Sequence, residues 1–190
     1  TGAKLIGVDG SAKLIELARR HGPEVTYHIS LAARLPFLAD HSLDQALLVL
    51  ALQNLAPVKA VLAELHRALK PDGRLHLVLN HPAFRVPRGS SWAYDEVARQ
   101  QYRRLDYYLS ERRVEIAMHP GQNDETTSTF HRPLQYYFKL LTNGGFVVAG
   151  LEEWLSHRSS QPGPRASAED TARREFPLFL YLLAKSVKLS

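Results

Sequence analysis

Hydrophobic and polar positions change period several times along this chain, and each change marks an element. Lys4 to Val8 alternates and is rich in β-formers, which predicts a buried strand ending on Asp9. Ser11 suits the N-cap of a following helix, with Leu14, Ile15, Leu17 and Ala18 in one stripe and Gly22-Pro23 as its stop. Val25 to Ile29 predicts a second short strand. "ARLPFLADHSLD" is a loop, broken by Pro36 and by the turn formers Asp40 and Ser42. "QALLVLAL" is continuously apolar, the pattern of a strand buried on both faces and therefore of a parallel sheet. Behind Pro57, the residues Val61, Leu62, Leu65 and Leu69 repeat at helical spacing. "KPDG" is then a turn and "RLHLVLN" another buried strand.

From His81 to Pro133 the texture changes to His, Arg, Tyr and Trp, with a helix expected around Ser91 to Leu109. "RVEIAMH" and "TTSTFH" are extended pieces that can pair as a hairpin. The first pattern then returns. A helix runs from Leu134 to Leu141, Gly144-Gly145 stops it, and "FVVAGLEEW" is a strand. A polar loop from Ser156 to about Arg174 leads to the last strand, "FPLFLYLLAKS". Strand, helix, strand, strand, helix, strand is the order of an α/β, doubly wound sheet with right-handed crossovers. With 190 residues, one domain (1–190) carrying an inserted cap segment (81–133) is expected.

Composition narrows the chemistry. There is no cysteine, so disulfides, thiolate metal sites and cysteine nucleophiles are excluded, which fits a cytoplasmic protein. No apolar run reaches the length of a membrane span, so no membrane partner is expected. The formal charge of +5 is spread over pairs such as Arg19-Arg20 and Arg112-Arg113 rather than gathered in a patch, which disfavours a nucleic-acid partner. Nine histidines raise the question of a metal, yet none sits in a helical H-x-x-x-H or a zinc-type set, so none is expected. Gly89 to Ser91 lacks the G-x-S-x-G elbow of serine hydrolases.

Four ordered landmarks carry a resemblance. They are "IGVDGSAKLIELAR", "LPFLADHSLDQALLVLALQNL", "VLAELHRALKPDGRLHLVLN" and "LLTNGGFVV". Together they resemble the class I S-adenosylmethionine-dependent methyltransferases. The resemblance implies a Rossmann-like, mostly parallel sheet of seven strands, its antiparallel last strand inserted between the fifth and sixth. It implies S-adenosylmethionine as cofactor, held at the carboxyl ends of the first strands. The family's first strand and Gly-x-Gly loop have no counterpart here, so Thr1-Gly2-Ala3 is expected to be a link from an earlier helix in a longer native chain. At Ser30-Leu31 the acid that relatives aim at the adenine is missing. Where many relatives have paired histidines, this chain has Gln53-Asn54.

Site residues follow from that frame. Asp9 is the ribose-binding acid, with an N-terminal helix acid as its plainer role, and Gly10 leaves room for an adenine ring. Ser30 and Leu31 face the adenine, and Leu35 and Phe37 are either its walls or core. Ala51 and Gln53 face the sulfonium end, unless Gln53-Asn54 is only a cap. His81 and His131 are the candidate bases, because the ordinary histidine pKa lies near neutrality. Arg85, Trp92, Tyr94, His119 and His131 are the candidate substrate contacts, with Arg88 and Tyr136 beside them. The plainer reading of this aromatic and histidine group is a satellite core under a hairpin. The expected reaction is in-line methyl transfer to a small-molecule acceptor, achieved mainly by positioning. The alternative is a non-catalytic Rossmann-like binding domain that has lost cofactor activity. An NAD-type oxidoreductase is disfavoured, since the Leu-Pro-Phe and Lys-Pro-Asp-Gly landmarks have no role in one.

Overall fold

A computed structural model describes residues 2–117 and 126–187. The first part alternates as the pattern requires: β1 (Ile6–Asp9), α1 (Ala12–His21), β2 (Thr26–Ile29), β3 (Leu43–Val49), a 3-10 turn (Leu52–Asn54), α2 (Val58–Ala68) and β4 (Leu69–Asn80). The middle holds β5 (Ser90–Asp95), β6 (Gln100–Leu105), β7 (Arg112–Ala117) and β8 (Thr126–His131). The chain closes with α3 (Leu134–Asn143), β9 (Phe146–Trp154), α4 (Ala166–Glu175) and β10 (Phe179–Ser186).

β3 and β4 are parallel, and β10 lies antiparallel between β4 and β9, giving the order β3-β4-β10-β9. That is the inserted antiparallel last strand expected from the resemblance. β1 and β2 form a separate parallel pair, and among the described residues no strand joins β1 to β3. The six strands therefore make two ladders rather than one sheet.

The core lies under one face of the larger ladder. Leu75, Leu77 and Leu79 of β4 and Leu180, Leu182 and Ala184 of β10 are buried there against Val58, Val61, Leu62 and Leu65 of α2 and Tyr137, Leu140 and Leu141 of α3. The opposite face carries His76, Tyr181 and Trp154, whose rings stack in series. This corrects the expectation that "QALLVLAL" is buried on both faces. Ala46 and Leu48 pack on the core, whereas Leu47 is 66% exposed and Val49 59%. Among the described residues no helix covers that second face, so a continuously apolar run is buried only at alternate positions. The N-terminal strand is likewise less buried than its pattern predicts, with Leu5 and Ile6 exposed, and of the α1 stripe Ile15 alone is fully buried.

Two local signals read as written. The Ser11 hydroxyl accepts the Leu14 N–H at 3.3 Å as the N-cap of α1. Gly145 has φ +82°, and a Cβ there would lie 2.5 Å from His66 Nε2, a ring already tied to the Val187 carbonyl. "KPDG" forms a bulge at the start of β4, with Asp72 at φ 63°.

Two expectations fail. The helix predicted for Ser91 to Leu109 is instead the hairpin β5–β6. The Asp95 carboxylate accepts the N–H groups of Val97 and Ala98 and closes the turn, and the Arg103 guanidinium lies 4.9 Å over the Trp92 ring on the facing strand. The polar loop predicted for Ser156 to Arg174 contains α4. Only Ala172 of that helix is fully buried, so no apolar stripe announces it. The second hairpin, β7–β8, forms as expected.

One clasp holds the Leu-Pro-Phe loop. Arg67 of α2 binds both oxygens of Glu64 and also donates to the carbonyls of Leu35 and Leu38 and to Asp40. Glu64 in turn accepts the Leu35 N–H at 2.6 Å, and Arg67 holds its carboxyl below the usual carboxylate range.

Candidate functional site

The parallel strands β1, β2, β3 and β4 present their carboxyl ends through Asp9, Ser30, Leu50 and His81. In α/β sheets these ends form the ligand crevice. Two groups of side chains gather there.

The first stands on the small ladder. The Asp9 carbonyl accepts the Ser30 N–H at 3.1 Å, which brings Asp9-Gly10 beside Ser30-Leu31. Asp9 Oδ1 accepts the Ser11 N–H at 2.7 Å, and its second oxygen makes no hydrogen bond among the described residues. A Cβ on Gly10 would meet Leu31 at 3.6 Å, an ordinary contact, so glycine is not sterically forced there. The Ser30 hydroxyl donates to the Arg34 carbonyl at 2.7 Å, and Leu31 is exposed. Leu35 is core, and Phe37 stacks on His28 with ring centroids 3.7 Å apart.

The second group surrounds a cavity of about 20 Å³ beyond β3 and β4. Gln53 reaches it from the 3-10 turn, Asn80 and Arg85 from the end of β4, His131 and Arg132 from the end of β8, and Tyr137 from α3. Leu50, at φ 52°, turns the chain so that its carbonyl accepts from Gln53 Nε2 at 2.9 Å. Ala51 precedes this turn and is half-buried. Burial pushes the Tyr137 phenol up to about 12, against the pull of Arg132, so it stays protonated.

The two histidines differ. His81 Nδ1 accepts the N–H groups of Ala83 and Phe84, each at 3.2 Å, and Nε2 donates to Glu153 at 2.8 Å. Both ring nitrogens are engaged, and burial holds the ring below its ordinary pKa despite Glu153. His131, 3% exposed, donates from Nε2 to the Tyr108 carbonyl at 2.6 Å. A carbonyl can only accept, so Nε2 carries the proton and Nδ1 keeps a lone pair. Burial, helped by Arg112, holds this ring below its ordinary pKa against the pull of the Tyr108 carbonyl.

A pH dependence of stability follows. The unfolded chain takes up a proton at His131 near pH 6.5, while the native ring resists. Its contribution is whole above that pH and is lost as the pH falls through the lower native value. His76 and His81 act in the same direction. Thermal melts from pH 7.5 to 5.5 should show a falling midpoint, with a shallower fall for His131→Gln. Equal slopes would remove His131 from the account.

The structure thus brings Gln53, Arg85 and His131 to one cavity, and Asp9, Gly10, Ser30 and Leu31 to one corner. It places Trp92 and Tyr94 elsewhere. Trp92 packs on Phe176, and Tyr94 lies under Arg165, 4.4 Å from the guanidinium carbon, in a cleft of about 820 Å³ between β5–β6 and α4. Arg88 donates to the Glu115 carbonyl, and His119 lies outside the described residues. Sequence reasoning missed Arg132 and Tyr137. Their signal was a basic residue set among Phe130, His131, Tyr136 and Tyr137 at the start of a helix.

Comparisons with known proteins agree with this fold. Residues 1–77 match the family model described as a methyltransferase domain. A demethylmenaquinone methyltransferase of Renibacterium salmoninarum is 32% identical over 84 residues, covering 44% of this chain and 35% of that protein. The chain spans about a third of the length of such curated relatives. A crystal structure of an S-adenosylmethionine-dependent methyltransferase from Mesorhizobium loti is 26% identical, with a TM-score of 0.72, covering 96% of this chain and 80% of that one. A Listeria monocytogenes structure at 22% identity and TM-score 0.73, covering 97% and 81%, shares the fold. Family model, landmarks and strand order coincide: residues 1–77 match a methyltransferase domain, and the chain is similar over nearly its whole length to an S-adenosylmethionine-dependent methyltransferase.

Proposed function

We propose that the protein catalyses transfer of a methyl group from S-adenosylmethionine to a small-molecule acceptor. The observation that supports this reading is that the Asp9–Ser30 corner and the Gln53–His131 cavity each lie at the carboxyl ends of parallel strands. Asp9 has an oxygen left for a ribose hydroxyl, and Gly10 and the exposed Leu31 offer a flat apolar surface for a purine, so these residues fit the nucleoside half of the cofactor. Bound there, the cofactor supplies a methyl group already activated on a sulfonium. The chain then has to position the acceptor in line, exclude water and, for a protonated acceptor, remove a proton.

His131 is the base in this scheme, because its Nδ1 lone pair is free and its tautomer is set by Tyr108. His81 instead holds the loop after β4 in shape, with both ring nitrogens engaged. Arg85 contacts the acceptor. The segment 81–133 acts with α4 as a cap, the two meeting at the cleft that holds Tyr94. No helix among the described residues is long and apolar enough to cross a membrane.

Calorimetric titration of the protein with S-adenosylhomocysteine tests the reading. Saturable binding is expected, weaker than at a site that also carries the family's Gly-x-Gly loop. No heat at millimolar ligand would overturn the enzyme reading, and binding with no methyl transfer to any acceptor would favour a binding domain.

A further inference from the structure

Arg132 is a buried cation. It is 5% exposed, and no salt bridge reaches it among the described residues. Nη2 donates to the Leu55 carbonyl at 2.9 Å, and the guanidinium carbon lies 4.7 Å over the Phe130 ring and 5.4 Å from the Tyr136 ring. These contacts offset part of its desolvation. Nη1 is buried and makes no well-aligned hydrogen bond among the described residues, although the Tyr137 hydroxyl stands within reach of the guanidinium. Gln53, 6% exposed, shows the complementary gap. Its Nε2 faces the Leu50 carbonyl, which can only accept, so the amide cannot be reversed. Oε1 is therefore fixed as an acceptor, and it too is buried without a partner.

Both residues line the same cavity. An unmet buried donor or acceptor costs about 1–3 kcal/mol, and two at one cavity point to a ligand group that satisfies both. That group must accept from a guanidinium and donate to an amide oxygen. A carboxylate or phosphate would set its own acceptors against Gln53 Oε1, and an ammonium would face Arg132. A hydroxyl meets both demands. At about 20 Å³ the cavity has room for one oxygen-sized group and no ring, so the carbon skeleton stays outside it.

We propose that this cavity is the subsite for a hydroxyl of the methyl acceptor, which accepts from Arg132 Nη1 and donates to Gln53 Oε1. The assignment of that hydroxyl to a methyl acceptor rests on the methyl-transfer reading; the hydroxyl preference itself does not. The substrate class is accordingly a phenol, enol or alcohol. His131 lines the same cavity.

Phenol and anisole are the matched probes, alike in ring and differing in the donor. By calorimetry the protein should bind phenol at least tenfold more tightly than anisole. Arg132→Met and Gln53→Met should each lose at least tenfold for phenol and leave anisole unchanged, with circular dichroism confirming the fold. Equal binding of phenol and anisole by the unmodified protein overturns the proposal without recourse to any variant. Unchanged phenol affinity in a folded variant also overturns it. If Arg132→Met does not fold, Gln53→Met decides. S-adenosylhomocysteine titrated in parallel separates the two readings. Its failure to bind while phenol discrimination persists removes the methyl-transfer reading and leaves the hydroxyl subsite. Its binding without phenol discrimination does the reverse.

Discussion

Leu77→Ala should lower the unfolding free energy by about 2–5 kcal/mol, the range for truncating a fully buried leucine. Leu77 has no exposed surface and sits mid-strand in β4, with Leu48 of β3 and Leu182 of β10 directly opposite it on its two sides. Both neighbours are held by ladder hydrogen bonds, and α2 and α3 close the core above them, so the lost volume cannot be refilled by a small shift. Leu47→Ala is the control. It removes the same atoms from the next strand, but from a side chain that is 66% exposed, and it should cost well under half as much. Urea denaturation of both variants measures the contrast. Equal losses would mean that the two faces of the ladder have been assigned wrongly.

Asp9→Ala should weaken S-adenosylhomocysteine binding by about 1.5–3 kcal/mol, the worth of hydrogen bonds to a charged group, or roughly 10- to 150-fold in Kd. Alanine also removes the acceptor for the Ser11 N–H, so lost affinity alone would not separate ligand contact from loop damage. Asp9→Asn does separate them. Its side-chain oxygen still takes the Ser11 N–H, while the charge that strengthens a ribose contact is gone. Both variants should bind weakly, and only the alanine variant should also melt earlier. Unchanged affinity in either would remove Asp9 from the cofactor site.

Residues whose partners lie nearby in sequence, or whose faces alternate regularly, were readable in advance. Leu75, Leu77 and Leu79 mark the buried strand by period alone, and Ser11 and Gly144-Gly145 mark helix ends by local chemistry. Asp9 and Ser30 were legible as site candidates because Asp9 ends β1 and Ser30 directly follows β2. The hairpin β5–β6 was not legible. Its stability comes from Trp92 meeting Arg103 across the strands and Phe176 from beyond them, and no window of sequence contains all three. α4 escaped notice because helix formers without an apolar stripe look the same as a solvated loop. Arg132 was the largest omission. Its meaning depends on Gln53 and Leu55, and only the docking of β8 against the 3-10 turn brings them together.

The Arg67 clasp sets the Ser30–Asp40 side of the crevice in advance. One guanidinium serves two loop carbonyls, Asp40 and Glu64, so none of these contacts can be surrendered alone. Swinging it away strands them all together, and the loop from Leu35 to Asp40 detaches from α2 in one cooperative event or stays closed. Ser30 and Leu31 lead straight into that loop, and the Ser30 hydroxyl is already tied forward to the Arg34 carbonyl. Under the proposed function, a nucleoside would meet a wall there that is in place before it binds. Little ordering entropy is left to offset the few polar contacts this corner provides.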